Sequence, residues 1–295
     1  MTTTPCPPLP IDAALPALRA ALAAQGRAVL VAPPGAGKTT RVPLALLDMV
    51  PGRIVMLEPR RLAARAAAER MAATLGEKLG QRVGYRIRGE AVPGTRIEVV
   101  TEGILTRMIQ SDPEWPGVGC VIFDEFHERS LNADLGLALV WESRAALRPD
   151  LGVLVMSATL DAAPVAALLD DAPLVRSDGR AFPVETRWLD RPLPAGARLV
   201  PEAARLIDQA AAETSATGGT ILAFLPGEGE IRRVVALLRS DAEIVPLYGA
   251  MDFAAQRAAL APPGDRRRIV LATAIAETSL TIPGVRVVVD AGRAR

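Results

Sequence analysis

The sequence predicts an α/β protein made of two parallel sheets in tandem, each covered by helices. Three observations carry that expectation. Short apolar, β-branched runs alternate with Ala/Arg/Leu-rich helical stretches through both halves of the 295 residues, the rhythm of parallel strands joined by crossover helices. The alternation is interrupted once, between about 172 and 198, by a Pro-rich stretch that reads as a linker. The length also suits two domains of roughly 100 to 200 residues each. The expected division is a flexible Pro/Thr tail over 1–10, a first domain over 11–175, a linker over 176–198, and a second domain over 199–295.

In chain order, LRAALAAQG reads as a helix stopped by Gly26. The expected strands of the first half are 28–32, 53–58, 96–101, 118–125 and 151–159, with helices near 38–49, 61–75, 102–110, 130–147 and 161–169 between them. After the Pro-rich break a helix is expected near 199–213, a strand at 218–226, a helix near 228–240, and strands at 243–249, 267–273 and 285–290.

Composition removes several classes. Half of the residues are hydrophobic and 23% charged, which argues against a disordered chain. No apolar run approaches the roughly 18 residues of a membrane span, and the start MTTTPCPPLP lacks the basic and apolar regions of an export signal. Cys6 and Cys120, the two cysteines, lie in a Pro-rich tail and an apolar run, so neither a disulfide framework nor a metal site is expected and a reducing cytoplasm fits. Net charge is +1, so any nucleic acid has to be held locally rather than by a global field. Lys38 and Lys78 are the only lysines, which makes a lysine inside a phosphate-binding pattern conspicuous.

That pattern is AVLVAPPGAGKTT, a strand, a turn and a helix start. Ala32, Pro33, Pro34, Gly35, Ala36 and Gly37 form the turn. The two glycines let backbone N–H groups curl around phosphate oxygens, the helix N-terminus adds its dipole, Lys38 reaches the β and γ phosphates, and the Thr39 hydroxyl can ligate Mg²⁺. Ala32 stands where the strict pattern G-x-x-x-x-G-K-[ST] has its first glycine, so the relaxed form is the one matched. Further along, VIFDEFHERS sets Asp124 and Glu125 at the C-terminal end of an apolar strand, the edge at which open parallel sheets bind ligands. One carboxylate there can hold Mg²⁺ and its neighbour can orient or deprotonate a water. The plain alternative is that such acids cap the next helix, as Glu128 is read to do. His127 is the lone histidine, with no second soft ligand nearby to make a metal site.

From these residues the chain resembles the superfamily 2 DEAH/RHA helicases, and within them the bacterial HrpB-type ATP-dependent helicases. DEFH resembles the DEAH box with Phe126 in place of Ala. APPGAGKTT resembles motif I, EPRRLAA motif Ia, TEGIL motif Ib, DEFHER motif II, SAT motif III, FLPGEGEI motif IV and ATAIAETSLTIPGVRVVVDAG motif V, in that order along the chain. The resemblance implies two RecA-like P-loop domains that bind ATP and Mg²⁺ and draw a nucleic-acid strand, RNA by expectation, across their tops. It implies nucleotide and metal contacts at Lys38, Thr39 and Thr40, Asp124 on the metal, Glu125 as catalytic base, and a coupling role for His127 and the segment Ser157 to Thr159. Ser279 would sense the γ-phosphate. Arg60, Arg61, Thr101 and Thr273 would contact sugar and phosphate, contacts that position a strand without reading its sequence.

For Arg60 and Arg61 the alternative is a solvated helix start, although Arg is unfavourable beside a helix N-terminus. Arg70 is equally a stacking partner for adenine and a surface arginine on an Ala-rich helix. No Q motif precedes the loop, which in this family implies weak preference for adenine. Ala274 and Pro283 depart from the family's motif V text ATNIAETSLTID, each losing a polar group. The arginine-bearing motif VI is absent, so the resemblance implies a second domain truncated at its C-terminal end, the first third of a typical member, and low activity for this segment alone, with further C-terminal domains as its partners and a monomeric, cytoplasmic protein as the expectation. A truncated module that binds nucleotide or RNA without turnover is the competing reading, and a P-loop ATPase acting on proteins a third.

Overall fold

The hydrophobic alternation sorts itself onto two faces of a sheet. The computed structural model describes residues 8–159, 162–179, 183–189, 191, 198–214, 218–264, 266–276 and 282–293, and the chain divides into two units, 1–184 and 185–295. In the first unit the elements run α1 (Leu15–Gln25), β1 (Arg27–Val31), α2 (Lys38–Ala45), β2 (Arg53–Leu57), α3 (Arg61–Thr74), β3 (Val83–Ile87), β4 (Glu90–Val92), β5 (Ile97–Val100), α4 (Glu102–Ser111), β6 (Val118–Phe123), α5 (Leu131–Ala146), β7 (Gly152–Ser157), α6 (Ala163–Leu168) and β8 (Leu174–Arg176). They build one sheet in the order β4-β3-β5-β2-β6-β7-β1-β8, parallel throughout except for the β3–β4 hairpin.

Period two along each strand separates the core into two layers. Leu30, Ile54, Met56, Ile122 and Leu154 face Leu18, Leu22, Leu46, Ala64 and Met71. Val29, Val55, Leu57, Val121 and Phe123 face Leu105, Leu137, Val140 and Val165. The central strands are buried on both sides, so each reads as a continuous apolar run.

Sequence patterning missed three strands here. VGYRI carries Gly84 and Arg86, EAV and LVR are three residues each, and none shows an apolar run. Gly84 is required by the hairpin itself, because a Cβ there would lie 2.1 Å from the Val92 carbonyl oxygen. The last strand, β8, pairs with β1 inside the stretch whose prolines had suggested a linker. The helix expected over 38–49 stops at Ala45, with Pro43 in its last turn.

The second unit runs α7 (Leu199–Glu213), β9 (Thr220–Phe224), α8 (Glu228–Val235), β10 (Glu243–Leu247), α9 (Phe253–Leu260), β11 (Arg268–Ala272) and β12 (Val285–Asp290). Its four strands are parallel in the order β10-β11-β9-β12. Helix α9 was not expected. Asp252 starts it by accepting the Ala255 N–H at 2.9 Å, an N-cap legible in hindsight. Among the described residues no helix is long and apolar enough to cross a membrane.

Candidate nucleotide site

The loop after β1 is held from two sides. The Ala32 N–H donates to the Ser157 carbonyl at 3.0 Å, and the Ile11 N–H donates to the Ala36 carbonyl at 3.1 Å. Inside the turn the Ala36 N–H closes onto the Pro33 carbonyl at 3.2 Å. Gly35 and Gly37 take φ of 76° and 96°, a region closed to most side chains. A Cβ at Gly37 would also lie 2.5 Å from Leu9 Cδ1, while Gly35, with Pro34, faces open space. Helix α2 then starts at Lys38 without a side-chain cap, leaving its first N–H groups for an anion. Lys38 is buried, and Thr39 and Thr40 are half-buried on the first turn.

Asp124 and Glu125 follow β6 directly. Lys38 Nζ meets Glu125 Oε1 at 2.9 Å, and both side chains are nearly enclosed. Glu125 sits at φ 50°, ψ 33°, a left-handed conformation that a non-glycine residue adopts under constraint. Asp124 Oδ1 accepts the Glu125 N–H at 2.8 Å, whereas its buried Oδ2 has no hydrogen-bond partner. Burial first, then the charge of Glu125, pushes the Asp124 carboxyl up to about 6, against the opposing pull of Lys38 and the Thr39 hydroxyl. An enclosed carboxylate oxygen without a partner, with a threonine hydroxyl pulling on the same carboxyl, fits a hard cation.

His127 Nδ1 accepts the Ala158 N–H at 3.2 Å and stands 3.4 Å from Glu125 Oε2. Ser157 Oγ accepts the Thr159 N–H at 3.2 Å, closing the SAT turn on itself. Thus Lys38, Asp124, Glu125, His127 and the 157–159 segment meet at one sheet edge, although they lie between positions 38 and 159 of the chain.

The residues expected to touch a strand are placed more loosely. Arg60 is the residue before α3, and its Nη2 lies 3.5 Å from Glu128 Oε2. Arg61 is exposed and its Nη2 donates to the Arg88 carbonyl at 3.1 Å. Thr101 precedes α4 and is buried, its N–H reaching the Arg86 carbonyl at 3.4 Å. Arg70 is exposed on α3. In the second unit Thr273 follows β11, donates its N–H to the Leu247 carbonyl at 3.1 Å and precedes a 3-10 turn at Ala274–Ala276. Ser279 lies outside the described residues.

Glu128 is not the cap of α5. Ser130 is, with its Oγ accepting the Ala133 N–H at 2.9 Å, and Glu128 reaches back to Arg60 instead. A serine immediately before the helical run is the signal available in the sequence for the cap.

A glycine loop between a parallel strand and a helix, with a lysine held against an acid at the end of the next strand but one, defines a P-loop protein of the RecA-like kind. Residues 13–168 match the family model described as DEAD/DEAH box helicase, and residues 202–294 match the helicase conserved C-terminal domain. The chain belongs to the DEAD/DEAH box helicase family. It is 52% identical to the ATP-dependent RNA helicase HrpB of Escherichia coli over 97% of this chain and 36% of that protein. It is 34% identical to the ATP-dependent RNA helicase HrpA of the same organism over 88% of this chain and 21% of that one. The crystal structure of Escherichia coli DEAH/RHA helicase HrpB superposes with a TM-score of 0.89 at 51% identity, covering 97% of this chain and 37% of that one. The chain therefore spans just over a third of HrpB's length.

Proposed function

We propose that this chain is the motor segment of an ATP-dependent RNA helicase, coupling ATP hydrolysis to movement along a single strand. The observation that carries this reading is the convergence of Lys38, Asp124 and Glu125 beside the glycine loop, within a chain that resembles RNA helicases over nearly its whole length. The N–H groups of the loop and of the first turn of α2 hold phosphate oxygens, and Lys38 leaves Glu125 for the β and γ phosphates. Thr39 and Asp124 would hold Mg²⁺, which would supply positive charge against the charge developing on the phosphates. Glu125, released from Lys38, orients the attacking water and accepts its proton. His127 holds the Glu125 turn against Ala158, so a shift in the SAT segment is passed to the base. Arg60, Arg61, Thr101 and Thr273 take sugar and phosphate, and Ser279 the γ-phosphate. The experiment is steady-state ATP turnover with and without single-stranded RNA, with single-stranded DNA alongside. Residues 1–295 alone should turn ATP over slowly with little stimulation, because the arginine-bearing motif VI is not among them, whereas a chain that carries that motif should be stimulated by RNA. In the chain that carries it, nucleotide and RNA binding without turnover would instead favour a binding module, and turnover indifferent to any nucleic acid would refute the helicase reading.

A further inference from the structure

One short turn joins three parts of the first unit. The 3-10 turn Phe126–Glu128 is bounded by two non-glycine residues with positive φ, Glu125 at 50° and Arg129 at 48°. Such a pair of left-handed residues persists only where surrounding contacts hold it. The turn's neighbours supply those contacts: Glu125 to Lys38, His127 to the Ala158 N–H, and Glu128 to Arg60. Phe126 anchors it beneath, edge-on to Phe123 at 6.2 Å.

The third contact differs from the others. Glu128 and Arg60 side chains keep 20% and 27% of their surface open, and their closest approach is 3.5 Å, longer than the 2.7–2.9 Å of a tight charge-assisted bond. An anion from solvent can reach this guanidinium and offer it a better geometry, since a phosphate accepts two parallel N–H bonds. We propose that Glu128 is a positioning residue: it occupies Arg60 as an internal anion until a backbone phosphate of the strand replaces it, and its release loosens the turn that holds Glu125. This rests on the assignment of Arg60 to the strand made above. It makes the RNA-free state one in which Arg60 is already engaged and Glu125 is held on Lys38, and it gives the strand a direct path to the catalytic base within a single unit.

The test is a double-mutant cycle on Arg60 and Glu128 read by fluorescence anisotropy of a labelled uridine oligomer, with ATP turnover measured on the same variants in a chain that also carries motif VI. Glu128→Gln should tighten RNA binding about 3-fold or more at low salt, because the competing charge is gone while the side-chain shape stays. Glu128→Asp should bind like the parent. In the Arg60→Ala background Glu128→Gln should give no gain. RNA-free turnover of Glu128→Gln should rise towards the stimulated value, so the stimulation ratio falls. A residue that merely supports the fold would not improve RNA affinity when altered. If Arg60→Ala weakens RNA binding and Glu128→Gln leaves it unchanged or weaker, the competition is wrong while the strand assignment stands. If Arg60→Ala leaves RNA binding untouched, the assignment beneath it has failed.

Discussion

Glu125→Gln separates nucleotide binding from chemistry more cleanly than any other change in this site. The amide keeps an oxygen that can accept Lys38 Nζ, now 2.9 Å from Oε1, and its other end still faces His127 Nδ1, at 3.4 Å from Oε2 in the parent. What is lost is one negative charge and the ability to take a proton. A general base typically contributes about 10² to 10⁴ in rate, so turnover should fall ~100-fold or more, about 2.7 kcal/mol of barrier. Binding should move the other way. In the parent, phosphates have to draw the buried Lys38 from a charged partner; in the variant they draw it from a neutral one, so Mg-ATP affinity should be equal or a few-fold tighter. Glu125 is also the largest charge influence raising the Asp124 carboxyl, so Asp124 in the variant should stay ionised to lower pH and metal-dependent binding should persist further into acid. Single-turnover hydrolysis and titration with a fluorescent ATP analogue measure the two quantities independently. Parallel losses of affinity and rate would refute the role of Glu125 as base and make it part of the phosphate cradle.

Lys38→Ala should weaken Mg-ATP binding by tenfold or more and also lower stability by about 3 kcal/mol, because it strands the enclosed Glu125 carboxylate without its partner; titration and thermal melts read both, and an unchanged melting temperature would contradict the burial argument. Asp124→Asn should stabilise the nucleotide-free protein at pH 8. Folding raises this carboxyl from about 3.8 to about 6, so the ionised form is disfavoured in the fold, the penalty grows as pH rises between those values, and the gain from the amide should vanish near pH 4 while stabilisation by Mg-ATP is lost at every pH. Arg60→Ala with Arg61→Ala should weaken RNA binding and flatten its salt dependence without changing ATP affinity; an unchanged salt slope would remove both from the interface. Gly119→Ala should lower the stability of the first unit by about 2 kcal/mol or more, since the new Cβ would sit 1.8 Å from the Pro51 carbonyl oxygen, and a melt within a degree of the parent would show that the chain can yield there.

Much of this architecture is present in the order of residues alone. The runs at 27–31, 53–57, 118–123 and 152–157 are apolar on both pleats, and only a strand covered on both faces tolerates that, so the class of fold follows from composition and period. The glycine loop is equally local: Gly35, Gly37 and Lys38 are neighbours in sequence, and backbone freedom, helix start and charge all act within one turn. Strands β3, β4 and β8 could not be read that way. They are short, polar or glycine-containing, and they exist because a neighbouring strand offers them unpaired backbone groups, a partner that no local window contains. The same holds for the site. The sequence names Asp124, Glu125 and His127 as candidates but holds no record of Lys38 meeting Glu125 across 87 positions, of His127 receiving the Ala158 N–H, or of Glu128 turning to Arg60 rather than capping α5. Those contacts are set by strand order, which places the ends of β1, β7, β6 and β2 side by side at one sheet edge. Strand order depends on long-range pairing, and that is decided only when the whole sheet assembles.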